Sequence, residues 1–229
     1  MMKMGNDLEI NLSDGVIPKL LKSNFETQDY DDELYRYLVT DIEESEDALS
    51  LVEKKYGKLV LDVFRYTMDT DDPRLDLLSN DYFRLSQEDK YLKFIENVFY
   101  LNEEKVYVDF VYFSDENKIL QFIENRMSRL DRIDSYILLN QIDIMRKDQN
   151  DMYLIEDLNL LKLFIKCFLR EILWCNLYFP KHPMIVSTGY DLGLPVIVKD
   201  KQDKENYIKM AEDSRLFLKD TGKIVAPKL

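Results

Sequence analysis

The stretch from Tyr153 to Asp200 constrains the fold most, because only here could a long part of the chain be buried on every side. It begins with a nearly all-apolar run at about residues 157–175, which predicts a buried central helix. Short apolar segments follow at residues 176–179, 184–187 and 194–199, with proline- and glycine-containing turns between them, and these predict strands. We therefore expect this stretch to form the centre of the core.

Before residue 104 the chain is predicted to be helical, and after it helices and strands alternate. The spacing of apolar residues predicts helices at residues 17–21, 29–42, 48–68, from Ser86 onward, at 116–130 and at 203–218, and strands at 105–113, 133–146 and 152–156. This order predicts an α+β fold, in which a helical N-terminal half precedes a mainly antiparallel sheet packed on the central helix. The predicted regions are a loose leader (1–16), an acidic helical region (17–103), an α+β region (104–220) with core helix 157–175, and a tail (221–229), with the two halves forming one compact unit.

The net charge of −13 is concentrated in one half of the chain. Residues 1–104 contain 25 acidic and 12 basic residues, whereas residues 105–229 contain 19 of each. The excess of acid either keeps the protein in solution or forms a surface that attracts a basic partner. It disfavours direct binding to nucleic acid, because phosphate contacts need a cationic surface.

Both cysteines, Cys167 and Cys175, fall on the predicted central helix. At eight residues apart they would lie roughly 12 Å apart along the helix axis, too far for a disulfide. Buried free thiols and the lack of a signal peptide in the first fifteen residues predict a cytoplasmic location. Lys162, Lys166 and Arg170 interrupt the apolar run, so no membrane span is predicted.

Sequence motifs of the common enzyme classes are absent, and no catalytic residue, metal ligand or cofactor is predicted. His182 is the single histidine and is predicted to lie in a surface turn between prolines. The acidic run 69–72 lacks the spacing of a calcium loop and is interpreted as the end of a helix. An alternative is a metal-dependent, nuclease-like hydrolase in which Asp109, Asp134, Glu156 and Lys162 converge. A second alternative is a small-ligand sensor or a structural subunit.

Two features of the C-terminal half are candidates for contacts. Lys162, Lys166 and Arg170 recur with Asn159 at helical spacing and form one polar stripe on the central helix. This stripe either touches solvent at the edge of the core or pairs with acids inside the protein and so docks the two halves. The loop 188–193 is a candidate binding loop, because its two glycines permit unusual backbone angles and Tyr190 and Asp191 lie between them.

The main functional prediction is a non-enzymatic, acidic interaction protein that binds and inhibits or neutralises a basic macromolecular partner. In physical type, though not by any family motif, this is the role of bacterial immunity proteins and phage-encoded inhibitors. Aromatic anchors among acidic residues suit such binding. The predicted contact residues are Asp29, Tyr30, Asp31, Asp32, Glu33, Tyr37, Asp41, Glu43, Glu44, Asp69, Asp71 and Asp72. The oligomeric state is left open.

Overall fold

The computed structural model describes residues 18–22, 55–68, 71–110, 121, 123–148 and 152–220. In this part of the chain eight strands form one sheet in the order β1-β4-β3-β5-β6-β7-β2-β8, and each adjacent pair is antiparallel. The predicted α+β class is confirmed. The strands are β1 Leu21–Lys22, β2 Leu59–Asp62, β3 Val106–Phe110, β4 Met152–Ile155, β5 Cys175–Phe179, β6 Met184–Ser187, β7 Leu194–Val198 and β8 Phe217–Asp220. The helices are α1 Asp81–Leu101, α2 Arg132–Asp148, α3 Leu158–Leu169 and α4 Lys201–Asp213, with 3-10 segments at Pro73–Ser79 and Met127–Arg129.

The N-terminal half contributes two strands to the sheet, where only helices were predicted. The predicted helix at 17–21 is wrong, because Leu21 belongs to β1. The predicted helix at 48–68 is wrong over residues 59–62, which form β2 between β7 and β8. Gly57 lies just after a helical turn at residues 55–56 and has a φ of 84°, a left-handed conformation that ends a helix. The chain can then extend into β2.

Residues 133–146, predicted as a strand, are part of helix α2. The side chain of Asp131 caps this helix, because its Oδ1 accepts hydrogen bonds from the backbone N–H groups of Ile133 and Asp134, both at 2.9 Å. These bonds lower the pKa of Asp131 below its usual value, with the bond from Asp134 contributing most. Leu138 and Ile142 are buried one turn apart. The residues therefore follow a helical period rather than the alternation of a strand.

Helix α3 is the predicted central helix but is shorter than expected, at 158–169 instead of 157–175. Eight of its residues are buried, including Leu161, Phe164 and Phe168. The helix ends in a Schellman arrangement: Ile172 N–H donates to the Cys167 carbonyl at 2.8 Å, and Glu171 has a φ of 54°. Cys175 consequently lies on β5, not on the helix.

Two other predicted helix limits are also wrong. Helix α1 begins at Asp81 rather than at Ser86, because the Asn80 side chain accepts a hydrogen bond from Phe83 N–H at 3.0 Å. The Ser86 hydroxyl instead donates to the carbonyl of Phe83 within the helix. Helix α4 spans residues 201–213 instead of 203–218, and the chain then forms β8 at the edge of the sheet.

The main core lies between one face of the sheet and the helices. Cross-strand partners on one face of the sheet, such as Val108, Leu177 and Val186, join the same buried cluster as side chains of α1, α2, α3 and α4. Tyr178 and Ile185 point to the opposite face and are also buried, at 0% and 1% exposure. The middle of the sheet is therefore shielded from water on both faces.

Gln141 on α2 fixes the edge strand β1 to the core. Its side chain is completely buried. The Oε1 atom accepts a hydrogen bond from Leu20 N–H, and the Nε2 atom donates to the Pro18 carbonyl, both at 2.9 Å. The amide thus satisfies one donor and one acceptor of a backbone segment, as a neighbouring strand would do.

Candidate functional site

The basic stripe on α3 is turned toward acidic residues of two other helices. The Nζ atom of Lys162 lies 2.7 Å from the Glu96 carboxylate on α1, and the Nζ atom of Lys166 lies 2.6 Å from Asp134 on α2. Arg170 at the end of α3 forms two hydrogen bonds with Glu88 on α1, described below. Asn159, the fourth residue of the stripe, is exposed. The stripe therefore joins α1 of the N-terminal half to α3 of the C-terminal half.

Arg170 carries the strongest contact of the stripe. Its Nε and Nη2 atoms donate to the two carboxylate oxygens of Glu88 at 2.6 and 2.7 Å, and its Nη1 atom donates to the Arg129 carbonyl. Glu88 is buried at 8% exposure. The hydrogen bonds to Glu88 raise the pKa of Arg170 above its usual value. Arg84 and Arg129 donate to the carbonyls of residues 169 and 170, so the end of α3 is held by three guanidinium groups.

The candidate binding loop forms a tight turn between β6 and β7. Gly193 N–H donates to the Tyr190 carbonyl at 2.8 Å, and the two residues between them, Asp191 and Leu192, have φ values of 53° and 64°. Both are in the left-handed region, as a type I′ turn requires. Leu192 is buried, and its carbonyl accepts a hydrogen bond from the buried Tyr91 hydroxyl. The turn is thus held by the core beneath it.

A substitution at Gly189 would test how firmly the turn is fixed. A Cβ atom at Gly189 would lie 1.9 Å from the Gly193 carbonyl oxygen and 2.8 Å from Cδ of Pro195. We expect Gly189→Ala to open the turn and to lower the free energy of unfolding by about 1–3 kcal/mol, measured by urea denaturation. The matched control is Gly193→Ala, whose Cβ would meet its nearest atoms at 3.3 and 3.4 Å and should cost less. Equal costs for the two variants would contradict this description of the turn.

Tyr190 presents an exposed aromatic ring at this turn. Its side chain is 65% exposed, and its ring centroid lies 4.9 Å from that of Trp174 at an interplanar angle of 58°. Trp174, the one tryptophan of the chain, is half-buried in the connection between α3 and β5. The two rings therefore form a tilted aromatic pair at the protein surface.

Several segments that are distant in sequence meet at the end of the molecule that carries this turn. Leu61 at the end of β2 pairs with Leu194 at the start of β7, so the loop that follows β2 lies beside the turn. Within that loop the ring of Phe64 stacks on Phe83 of α1 at 6.0 Å. The buried Lys219 side chain holds the loop, since its Nζ atom donates to Asp62 at 2.7 Å and to the carbonyls of residues 64 and 66. The 3-10 segment 73–79 packs against α1 at the same end.

This end carries exposed acidic and apolar side chains together. Tyr82 is 85% exposed, Leu85 is 51% exposed and Leu77 is 41% exposed. Arg65 is an exposed base in the same region, and its guanidinium group lies 5.6 Å from the ring centroid of Tyr66. We define the acidic end as the set of exposed residues that lie toward this end of the molecule: the apolar residues Leu77, Tyr82, Leu85 and Tyr190 and the carboxylates Asp71, Asp76, Asp81 and Asp191.

The structure gives Asp71 and Asp72 different surroundings. Asp71 is exposed at the acidic end. Asp72 caps the 3-10 segment through the backbone N–H of Arg74 at 2.9 Å and also pairs with the Arg74 side chain. These contacts, led by the side-chain hydrogen bond from Arg74, lower the pKa of Asp72 to about 2. The carboxylate of Asp72 is therefore already bonded within the protein, whereas that of Asp71 is accessible to a partner.

The remaining predicted contact residues lie outside the described residues, so their assignment stays a prediction. They are Asp29, Tyr30, Asp31, Asp32, Glu33, Tyr37, Asp41, Glu43, Glu44 and Asp69.

The carboxylates of the hydrolase alternative are not brought together. Asp109 accepts hydrogen bonds from Asn176 N–H at 2.8 Å and from the Tyr178 hydroxyl, and its burial raises its pKa. Asp134 pairs with Lys166, and Glu156 is exposed. Among the residues that the structure describes, no three His, Cys, Asp or Glu side chains are grouped so that they could hold a metal ion.

His182 is bonded at the other end of the molecule. Its Nδ1 atom lies 2.8 Å from the carboxylate of Asp203 on α4, and its backbone N–H donates to the Asn102 side chain at 2.9 Å. The Tyr207 hydroxyl donates to the His182 carbonyl at 2.6 Å. The loop that contains His182 thus connects the end of α1 to the start of α4. These contacts give His182 a structural role.

The two cysteines are free and buried. Burial raises the pKa of both Cys167 and Cys175 well above the usual range of a thiol, which leaves them protonated and unreactive. None of the helices in the described part of the chain is long and apolar enough to cross a bilayer.

Sequence reasoning missed Trp174, Tyr82, Leu85 and two of the exposed acids at this end. The signal for Tyr82 was Asn80: a helix that begins after Asn80 places Tyr82 in its first turn, opposite the buried Tyr91. Trp174 carried no such signal, because its partner Tyr190 is brought to it only by the pairing of β5, β6 and β7.

No family model, curated protein or solved structure matches this chain.

Proposed function

We propose that the protein is a non-enzymatic binding protein that attaches to a basic protein partner through its acidic end and thereby inhibits or neutralises it. The observation that supports this most is the presence of four exposed carboxylates and of exposed tyrosine and leucine side chains toward one end of the molecule. The net charge of −13 adds a long-range attraction for a basic partner. Free, buried thiols fit a reducing compartment, and we place the protein in the cytoplasm as part of the proposal.

The composition of the acidic end suits protein binding. Interfaces are enriched in tyrosine, and their strongest contacts are aromatic residues surrounded by a polar rim. Tyr82 and Tyr190 are exposed without being loosely held, because Asn80 caps the first turn of α1 and the buried Tyr91 hydroxyl holds the turn at 190–193. A surface of this kind loses little conformational freedom on binding, which favours affinity. The exposed acids steer a basic partner toward it and disfavour an acidic one.

The proposal is tested by selection from a random peptide library displayed on phage. We expect the wild-type protein to enrich peptides that contain several basic residues and at least one aromatic or aliphatic residue. The double variant Asp71→Lys, Asp76→Lys should lose this enrichment. The matched control, Glu156→Lys with Glu205→Lys, makes the same charge change at two exposed sites toward the opposite end and should keep it. Enrichment of neutral or acidic peptides, or an equal loss in both double variants, would overturn the proposal.

A further inference from the structure

The aromatic pair of Trp174 and Tyr190 indicates which kind of partner side chain the acidic end would bind. We infer that an arginine side chain of the partner stacks on the exposed ring of Tyr190 while its guanidinium group pairs with the carboxylate of Asp191. This inference rests on the proposed function and makes its partner chemistry specific. It would make the turn at residues 190–193 the anchor point of the interface.

The exposure of Tyr190 is the first step of the argument. Its ring rests on Trp174 at a centroid distance of 4.9 Å, yet the residue as a whole remains 65% exposed. One part of the ring is thus fixed by a neighbour, and the larger part is left accessible. An aromatic ring that is both fixed and accessible can bind a flat or cationic group at little cost in side-chain entropy.

The charge beside the ring is the second step. Asp191 follows Tyr190 directly and is exposed. The negative face of an aromatic ring attracts a cation, and a nearby carboxylate adds to this attraction. Together they favour a cationic side chain over a neutral one.

The choice of arginine over lysine is the third step. A guanidinium group is planar, so it can lie flat on a ring and still donate two parallel hydrogen bonds to a carboxylate. A lysine ammonium group is compact and more strongly hydrated, and cannot make both contacts in the same way. The same end already shows this chemistry within the chain, since the Arg65 guanidinium group lies 5.6 Å from the ring centroid of Tyr66.

The rigidity of the turn is the fourth step. Asp191 and Leu192 adopt left-handed φ values, which are uncommon for residues other than glycine and least unusual among the rest for asparagine, aspartate and histidine. Burial of Leu192 and the hydrogen bond from Tyr91 to its carbonyl hold the turn in this conformation. The backbone that carries Tyr190 and Asp191 is therefore fixed before any partner arrives.

The test uses three capped tripeptides as probes: tri-arginine, tri-lysine and tri-citrulline, the last of which has nearly the shape of arginine without its charge. Because the chain contains one tryptophan, fluorescence excited at wavelengths that tyrosine does not absorb reports on Trp174 alone. We expect tri-arginine to change the fluorescence saturably and more strongly than tri-lysine, and tri-citrulline to have no effect. Tyr190→Leu should weaken tri-arginine binding, measured by calorimetry, by about fivefold. Asp191→Asn should also weaken it, whereas Tyr136→Leu, which alters an exposed tyrosine on α2, should not.

Each outcome has a definite meaning. If calorimetry shows tri-arginine binding that Tyr190→Leu does not alter, or if tri-lysine binds as tightly as tri-arginine, the inference is overturned and the proposed function stands. If the acidic end binds neither basic peptide, the proposed function fails together with the inference.

Discussion

Replacement of Lys219 by methionine is expected to lower the free energy of unfolding by about 3 kcal/mol. Lys219 lies on the edge strand β8 but is only 6% exposed, and its Nζ atom donates to the Asp62 carboxylate and to two backbone carbonyls. Methionine fills a similar volume but removes the charge and all three donated hydrogen bonds. The partly buried carboxylate of Asp62 would then lack its cation, which is the costly part of the change.

Urea denaturation measures this effect, and two controls make it specific. Lys147→Met breaks an exposed pair with Asp143 one helical turn away and should cost less than about 0.5 kcal/mol. The double variant Asp62→Asn, Lys219→Met removes both charges and should be more stable than Lys219→Met alone. If Lys219→Met costs no more than Lys147→Met, Lys219 does not hold the loop after β2 as described.

The second large effect is expected at the joint between α1 and α3. Arg170→Met removes the paired hydrogen bonds to Glu88 and leaves that carboxylate buried without its cation. We expect a loss of about 3 kcal/mol of unfolding free energy. Arg170→Lys keeps the charge but not the planar fork, so its cost should fall between those of the wild type and Arg170→Met.

A double-mutant cycle separates the pair from its surroundings. Glu88→Gln together with Arg170→Met should cost clearly less than the sum of the two single variants, because neither charge is then left alone. Thermal and urea denaturation should agree on this order. Additive costs would show that the two side chains do not depend on each other, contrary to the geometry.

The strands of the C-terminal half were predictable because their residues carry a local signal. Residues 184–187 were predicted with the limits the structure has, and residues 175–179 and 194–198 were predicted to within one residue. Each is a short apolar run between turns that contain proline or glycine. The residues at which these strands begin and end can therefore be predicted from the sequence. The burial of the helix at residues 158–169 was likewise predictable from its own sequence.

The ends of the helices were much less predictable, and the scarcity of glycine explains why. Glycine usually marks the left-handed residue that ends a helix, but this chain has only six glycines. After α1, α3 and α4 the left-handed position is taken by charged residues: Glu103 and Glu104, Glu171 and Arg215. The predicted helices 157–175 and 203–218 therefore ran past their true ends, and β8 was missed.

The candidate site was also only partly predictable from the sequence, because its parts come from distant segments of the chain. The loop with Tyr190 and Asp191 is predicted as a candidate binding loop from its flanking glycines, and the stripe on α3 is predicted from its spacing. The acids that face the stripe, Glu88, Glu96 and Asp134, could not be assigned because each comes from another helix. The meeting of the 3-10 segment, the start of α1 and the turn likewise depends on the pairing of β2 with β7, and residues 59–62 had been predicted as helix.

The central claim is that the acidic end, rather than the overall negative charge, binds a basic partner. The direct measurement uses one basic peptide enriched in the phage selection. Its affinity for the protein is determined by calorimetry at salt concentrations from about 50 mM to about 500 mM. For the wild type and for the control variant Glu156→Lys, Glu205→Lys, we predict the same tight binding at low salt and a steep decline with salt. For Asp71→Lys, Asp76→Lys we predict binding at least about tenfold weaker at low salt, with little dependence on salt. Equal weakening in both variants, or wild-type binding that salt does not alter, would contradict the account.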